Sequence, residues 1–129
     1  MNVCIVVPAP LFWGFHVVTD THELTSYLDR FGLSGFRPGQ EDVIRSVFSG
    51  EDCLCIMPTG GGKSLCYQLP SVARAGTTLV LSPLIALMKD QVDSLTQLGL
   101  AATSINSSLS AGEQAERLRE MRNGAYKLV

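Results

Sequence analysis

Charged residues are scarce in this chain of 129 residues, at 17%, and they leave a net charge of only −2. The chain therefore lacks the overall positive charge of a dedicated nucleic-acid-binding module, although this does not exclude a local basic groove. It contains no run of 18 or more apolar residues, so we expect no membrane span. Repeats and low-complexity linkers are also missing. With 46% apolar residues, the composition indicates one folded domain with a modest core.

Metal-ligand spacings are lacking as well. Cysteines occur at four positions, and Cys53 and Cys55 are two residues apart in a strand-like run, which places them on the same face. A Cys-x-Cys pair without a further Cys or His at ligand spacing is weak evidence for a metal site. We therefore expect Cys53, Cys55 and Cys66 to be small core residues of a reduced protein. Residues 1–18 carry no Lys or Arg, which argues against a secretory signal.

The most informative segment is glycine-rich and lies between a short apolar run at residues 53–57 and a possible helix start at Leu65. Strand, glycine-rich turn and helix start are the context of a phosphate-binding loop. Glycines allow successive N–H groups to face one anion, and the helix N-terminus adds partial positive charge. The predicted nucleotide-binding residues are Met57, Pro58, Thr59, Gly60, Gly61, Gly62, Lys63 and Ser64.

Within this loop, Lys63 is the predicted catalytic residue, reaching the β- and γ-phosphates of ATP, and the Ser64 hydroxyl is the predicted Mg²⁺ ligand. The general pattern has Gly at the place of Met57, so the match departs at one position. The alternative is a glycine-rich turn that happens to precede Lys-Ser. We favour the phosphate-binding loop because its strand and helix context is also present.

Hydrophobic periodicity predicts alternating helices and strands. Helices are expected from about residue 21 to Gly32, from Pro38 to Gly50, and after the loop to about residue 73 with a bend or interruption at Pro70. Further helices are expected at residues 84–98 and, opened by a Ser110–Glu113 capping box, to about residue 123. Strands are expected at residues 53–57, 77–82 and 101–105, with the start of a fourth at 125–129. This alternation favours an α/β fold with a parallel sheet and flanking helices.

Two further segments, residues 31–40 and 79–91, together with residues 57–68 resemble the first motifs of RecQ-family DNA helicases of superfamily 2. The resemblance runs from about residue 21 to the last residue. It implies that residues 21–129 are the first part of helicase RecA-like domain 1, a partial P-loop domain that stops inside a strand. Residues 1–20 are then an N-terminal extension of uncertain status.

The resemblance also implies roles for residues outside the loop. Arg37 and Gln40 match an adenine-recognition motif, in which Arg37 could lie over the base or pair with a phosphate; the alternative is a helix start with solvated side chains. Contacts to DNA are implied for two groups of residues: Ser82, Pro83 and Leu84, and Asn106 and Ser107. On residue chemistry alone, Ser82 could equally cap the helix that Pro83 starts, and residues 106–107 could be a plain turn.

The implied function is 3′ to 5′ unwinding of duplex DNA coupled to MgATP hydrolysis, in repair and recombination. ATP, Mg²⁺ and single-stranded or duplex DNA are the expected cofactors and partners. The Asp-Glu-x-His motif of the family occurs nowhere in the sequence, and a second RecA-like domain would be needed for catalysis, so this chain alone should bind nucleotide without turnover. The alternatives are a DEAD-box RNA helicase fragment and a non-catalytic binding remnant. The expected location is the bacterial cytoplasm, with the nucleoid, or a eukaryotic nucleus.

Overall fold

The helices and strands are known from a computed structural model, which describes residues 2–6 and 21–129, with side chains from residue 24 onward. Contacts divide the chain into two compact units, Met1–Ala73 and Arg74–Val129. Unit 1 contains strand β1 (Asn2–Val6), helix α1 (Thr21–Leu28), a 3-10 turn (Asp29–Phe31), helix α2 (Gln40–Phe48), strand β2 (Cys53–Met57) and helix α3 (Leu65–Ala73). Unit 2 contains helices α4 (Ile85–Gln97) and α5 (Ala111–Arg122).

Three helices of unit 1 pack their apolar faces into one core. The fully or almost fully buried side chains are Leu24 and Leu28 of α1, Ile44 and Phe48 of α2, and Leu65 and Leu69 of α3. Burial of each such side chain stabilises the unit by roughly 1.5–3 kcal/mol. Because α3 follows the glycine-rich loop directly, this core fixes the helix that carries the loop's C-terminal end.

Strand β2 contributes a second buried cluster. Cys55 and Met57 are buried together with Cys66 of α3, whereas Leu54 and Ile56 on the opposite face are 62% and 53% exposed. The alternation of buried and exposed side chains along β2 is that of a strand with one buried face. Burial confirms Cys55 and Cys66 as core residues, and Cys53 is partly buried. The cluster ties the strand before the loop to the helix after it, so both ends of the loop are anchored.

The predicted parallel sheet is not found as a continuous structure in the described residues. The ladder described for β2 is antiparallel, with β1, and pairs Asn2 with Met57 and Val6 with Cys53. The residue-level resemblance begins only near residue 21, and sequence periodicity gave no indication of this pairing. Residues 1 and 7–20, the rest of the predicted extension, lie outside the described residues.

Parallel pairing does occur in unit 2, but as single bridges. Leu128 bridges Thr78 on one side and Ala102 on the other, both in parallel. Backbone bonds from Val80 N to Val129 O (2.8 Å) and from Thr103 N to Leu128 O (3.1 Å) continue the two pairings. The segment predicted as the start of a fourth strand therefore lies between the other two.

The strands predicted at residues 77–82 and 101–105 are shorter than expected. Pairing of the first ends at Val80, and Leu79 and Leu81 are 64% and 97% exposed. An extended segment forms a regular ladder only where a neighbour accepts and donates along its whole length. Residues 81–82 have no such neighbour among the described residues.

The helix boundaries are closer to prediction. Gly32 ends the first helical region with a left-handed φ of 66°. The capping box of α5 is formed as predicted, with Glu113 N donating to Ser110 Oγ at 3.3 Å and Ser110 N donating to Glu113 Oε2 at 2.8 Å. Helix α2 begins at Gln40 rather than at Pro38.

Helix α3 continues through Pro70 to Ala73, so the interruption expected there is not found, and a bend at Pro70 stays a prediction. Helix α4 begins at Ile85 and buries only Leu95, while Leu84 and Leu87 are 61% and 45% exposed. No helix in the described part of the chain is both long and apolar enough to cross a membrane.

Candidate functional site

The candidate site is the loop of residues 58–64, which connects β2 to α3. Its backbone is closed by internal hydrogen bonds: Gly61 N donates to Pro58 O at 3.0 Å, and Leu65 N donates to Gly62 O at 3.2 Å. Cys66 N donates to Lys63 O at 3.0 Å, which begins the turn of α3. The loop is thus a compact turn placed at the positive end of a helix, where N–H groups are available to an anion.

Glycine is required at two of the three central positions for different reasons. Gly62 has a φ of 81°, and a Cβ there would lie within 3.0 Å of Nε2 of Gln40, closer than real Cβ atoms come. Gly61 has no unusual φ, but a Cβ would meet Pro58 O at 3.0 Å and the Met57 side chain at 3.2 Å. Side chains at these positions would therefore fill or distort the turn.

Lys63 lies across the loop. Its Nζ donates to Pro58 O at 3.0 Å, the same carbonyl that accepts from Gly61 N. A cation at a helix N-terminus is unfavourable unless a nearby negative charge or dipole compensates it. The Pro58 carbonyl supplies part of this compensation, and a bound phosphate would supply more. The Lys63 amine therefore lies beside the hydrogen bond from Gly61 N to Pro58 O that closes the turn.

Gln40 is 3% exposed and contacts the loop directly. Its Nε2 donates to Gly62 O at 2.9 Å, and its Oε1 accepts from Arg37 N at 2.7 Å. Arg37 in turn donates from Nη1 to Gly60 O. The structure therefore brings both predicted adenine-motif residues to the loop backbone, through contacts that the sequence reading did not foresee. Their prediction as adenine contacts stays a prediction.

The donor set fits ATP with Mg²⁺ in part. In the described part of the chain no group of three or more His, Cys, Asp and Glu side chains could hold a metal ion. Ser64, at the start of α3 and partly buried, is the predicted protein ligand. Mg²⁺ commonly keeps several waters and binds through substrate phosphates with few protein ligands. Ser64 would be one such ligand beside the phosphates of ATP, and its contact with Mg²⁺ stays a prediction.

Cys53, on the strand before the loop, is partly buried. Burial raises the pKa of its thiol, and the nearby Cys55, Asp52 and Glu51 raise it further. A raised pKa favours the protonated thiol, whereas a nucleophile or metal ligand needs the thiolate.

The residues predicted to contact DNA lie in unit 2, in two places. Ser82, Pro83 and Leu84 precede α4, and Leu84 N donates to Ser82 Oγ at 3.3 Å. The N-cap is Leu84, so the idea that Ser82 caps a helix started by Pro83 was wrong: the hydroxyl binds the N–H two residues on.

Asn106 and Ser107 lie in the turn before α5. The carboxamide oxygen of Asn106 accepts from Ser108 N at 3.0 Å and from Ser108 Oγ at 2.6 Å, which is an Asx turn. Ser107 is exposed. The turn that residue chemistry alone predicted is present, and its contact with DNA stays a prediction.

Sequence reading missed two residues of α5. Gln114 Nε2 donates to Asn106 O at 3.2 Å and to Leu109 O at 3.1 Å, and Arg117 Nη1 donates to Ser104 O at 2.6 Å. Gln114 and Arg117 are three residues apart and therefore lie on one face of α5. Since α5 buries no side chain fully, this polar pair was the available sign that the helix packs through a polar face.

Comparison with known proteins agrees with this geometry. The family model described as "DEAD/DEAH box helicase" matches residues 37–129, from Arg37 through the loop to the last residue. Over 99 residues the chain is 54% identical to "ATP-dependent DNA helicase RecQ" of Bacillus subtilis (strain 168), covering 76% of this chain and 17% of that protein.

Eukaryotic proteins are similar too. The chain is 46% identical over 101 residues to "ATP-dependent DNA helicase Q-like 4B" of Arabidopsis thaliana, covering 77% of this chain and 9% of that protein. It is 43% identical over 104 residues to "RecQ-like DNA helicase BLM" of Xenopus laevis, covering 81% of this chain and 8% of that protein. The chain thus spans less than a fifth of each of these three relatives. The family match and these identities show that the chain belongs to the DEAD/DEAH box helicase family and, within it, to the RecQ type.

Proposed function

We propose that this chain is the ATP-binding portion of a RecQ-type DNA helicase that unwinds duplex DNA in the 3′ to 5′ direction, coupled to MgATP hydrolysis. The observation that carries the proposal is the loop at residues 58–64, anchored at both ends and contacted by Gln40, Arg37 and Lys63. The proposed role is in DNA repair and recombination, in the bacterial cytoplasm at the nucleoid or in a eukaryotic nucleus.

The loop would act by binding and orienting the phosphates of ATP. Its N–H groups and the start of α3 would hold the phosphate oxygens, and Lys63 would move from Pro58 O to the β- and γ-phosphates. Ser64 would hold Mg²⁺, which neutralises charge that develops on the phosphates during transfer to water. Gln40 and Arg37 would set the loop's shape and form the adenine side of the site.

Turnover needs groups that this chain does not contain. Asp-Glu-x-His is missing from its sequence, and stabilisation of the transferred phosphoryl group commonly needs an arginine from another domain or protein. We therefore assign catalysis to the chain together with a second RecA-like domain, and nucleotide binding without turnover to the chain alone.

DNA is the proposed nucleic-acid partner because the relatives compared above are named DNA helicases. The contacts are assigned to Ser82, Pro83 and Leu84 before α4 and to Asn106 and Ser107 before α5. Hydroxyl and backbone N–H groups at these turns are suited to phosphate oxygens. An RNA helicase of the DEAD-box type would instead bind RNA in preference to DNA of the same sequence.

The first test is nucleotide binding by the chain, measured with a fluorescent ATP analogue in the presence of Mg²⁺. Lys63→Ala removes a charged hydrogen-bond donor, so we expect affinity to fall roughly 10- to 100-fold. Lys89→Ala is the matched control, because Lys89 is an exposed lysine paired with Asp93 at 2.7 Å, and its affinity should be unchanged. Equal affinity of wild type and Lys63→Ala would refute the loop assignment.

The second test addresses turnover and direction in the protein as translated from its gene. Unwinding of a 3′-tailed duplex with ATP, and none of a 5′-tailed duplex, is the expected result. Preference for the 5′ tail would overturn the direction. DNA-stimulated hydrolysis of ATP by residues 1–129 alone would overturn the assignment of binding without turnover.

A further inference from the structure

The turn at residues 104–109 is held from outside itself. Three of its carbonyl oxygens, those of Ser104, Asn106 and Leu109, accept hydrogen bonds from side chains of α5. A surface turn of this length normally satisfies such carbonyls with water. Here Gln114 and Arg117 take the place of water, and their hydrogen bonds direct the carbonyl groups of the turn toward α5.

The helix that supplies these donors is attached by a polar stripe. Gln114, Arg117 and Glu120 follow at intervals of three residues, and the third of them accepts a hydrogen bond from the phenol of Tyr126. Helix α5 buries no side chain fully, so apolar packing contributes little to its position. Hydrogen bonds from Gln114 and Arg117 therefore join α5 to the turn, and Glu120 joins the same face of the helix to the segment that follows it.

With its carbonyls directed to α5 and the Asn106 carboxamide oxygen bonded to Ser108, the turn leaves Ser107 facing solvent. Ser107 and Ser108 are exposed, whereas Gln114 and Arg117 are partly buried. The N-terminus of α5 is already taken by its own capping box, because Glu113 accepts from both the N–H and the hydroxyl of Ser110. A phosphate would therefore meet the turn itself at Ser107 and not the end of the helix, where the Glu113 carboxylate would repel it.

We infer that Gln114, assisted by Arg117, is a positioning residue for single-stranded DNA: it holds the turn, which the Asn106 carboxamide also shapes, so that Ser107 faces a backbone phosphate. This inference rests on the proposed function, since it deepens the DNA contact assigned there. Gln114 does not touch the DNA. Its two hydrogen bonds orient the groups that do, and nucleotide binding at the loop in unit 1 does not depend on it.

The test uses the protein as translated from its gene and a fluorescent single-stranded oligonucleotide. Gln114→Met keeps the length of the side chain but removes both hydrogen bonds to the turn, and the expected result is a roughly five-fold or greater rise in Kd for DNA. Gln97→Met makes the same chemical change at an exposed position of α4 and should leave Kd unchanged. Because the lost group is uncharged, the slope of log K against log salt should also stay the same.

Two further readouts separate the inference from its alternatives. The affinity for the fluorescent ATP analogue and the fraction of protein that binds it should be equal for wild type and Gln114→Met; a joint loss of both would indicate general unfolding and would refute a positioning role. Asn106→Ala and Ser107→Ala should each weaken DNA binding. If they do and Gln114→Met does not, the inference fails alone; if none of the three variants matters, the proposed DNA contact fails with it.

Discussion

Substitution of Gly62 offers a direct measure of the contact between the loop and Gln40. A Cβ at Gly62 would meet Nε2 of Gln40 within 3.0 Å, and the residue has a φ of 81°. The backbone conformation alone costs a non-glycine residue about 1–2 kcal/mol. Displacement of the Gln40 amide costs roughly 1–2 kcal/mol more, because a buried polar group loses its partner. We therefore expect Gly62→Ala to lower the free energy of unfolding by about 2–4 kcal/mol.

Gly60 provides the matched control. Its φ is 78°, but a Cβ there would meet nothing within 4 Å, so Gly60→Ala should cost only the conformational part, about 1–2 kcal/mol. The assay is urea unfolding followed by far-UV circular dichroism, with both variants and wild type measured together. The excess cost of Gly62→Ala over Gly60→Ala is then the contribution of the Gln40 contact.

A double-mutant cycle completes the experiment. Gln40→Ala removes the atoms that the new Cβ would strike, so in this background Gly62→Ala should cost no more than Gly60→Ala does in wild type. The coupling energy between positions 40 and 62 should be about 1–2 kcal/mol. A coupling near zero, or equal costs for the two glycine variants in wild type, would refute the contact and with it the view that Gln40 shapes the loop.

Three other outcomes follow from the structure. Tyr126→Phe should lower the free energy of unfolding by about 1 kcal/mol in a thermal or urea melt, since the phenol then no longer donates to Glu120; an unchanged melt would show that water replaces the bond. The bonds from Ser110 lower the pKa of Glu113, so this carboxylate stabilises α5 above its ordinary pKa of about 4.5, and the benefit is lost as pH falls through the lowered value. Glu113→Gln should therefore flatten the acid limb of a stability-against-pH curve, and an identical limb would contradict this. Leu69→Ala should cost about 2–5 kcal/mol, because Leu69 is fully buried between three helices; a cost below 1 kcal/mol would show that the site collapses.

Local signals predicted those elements whose stabilising contacts are close in sequence. The capping box of α5 joins residues three apart, and Gly32 and Gly124 adopt left-handed conformations where the helical regions were expected to end. The loop at residues 58–64 is also local, since its closing bonds join residues three apart. Pro38 misled the prediction of the start of α2, because proline tolerates a helix start without enforcing one.

Contacts between distant residues could not be predicted in the same way. Gln40 and Gly62 are 22 residues apart and Arg37 and Gly60 are 23 apart, and no periodicity connects them. The apolar run around Leu79 and Leu81 predicted a strand at residues 77–82, yet both side chains are exposed. An apolar pattern indicates which residues favour burial, but they become buried only if a neighbouring segment packs against them.

The sequence by itself determined the glycine-rich loop at residues 58–64, its required glycines and the order of the helices, because these depend on backbone conformation and on hydrogen bonds within a few residues. Tertiary structure alone decided that Gln40 supports Gly62 and that the segment at Leu128 lies between those at Thr78 and Ala102. It also decided that Gln114 holds the turn before α5. These arrangements depend on which distant groups meet after the chain closes on itself, and that outcome is set by packing and by the satisfaction of buried polar groups across the whole unit.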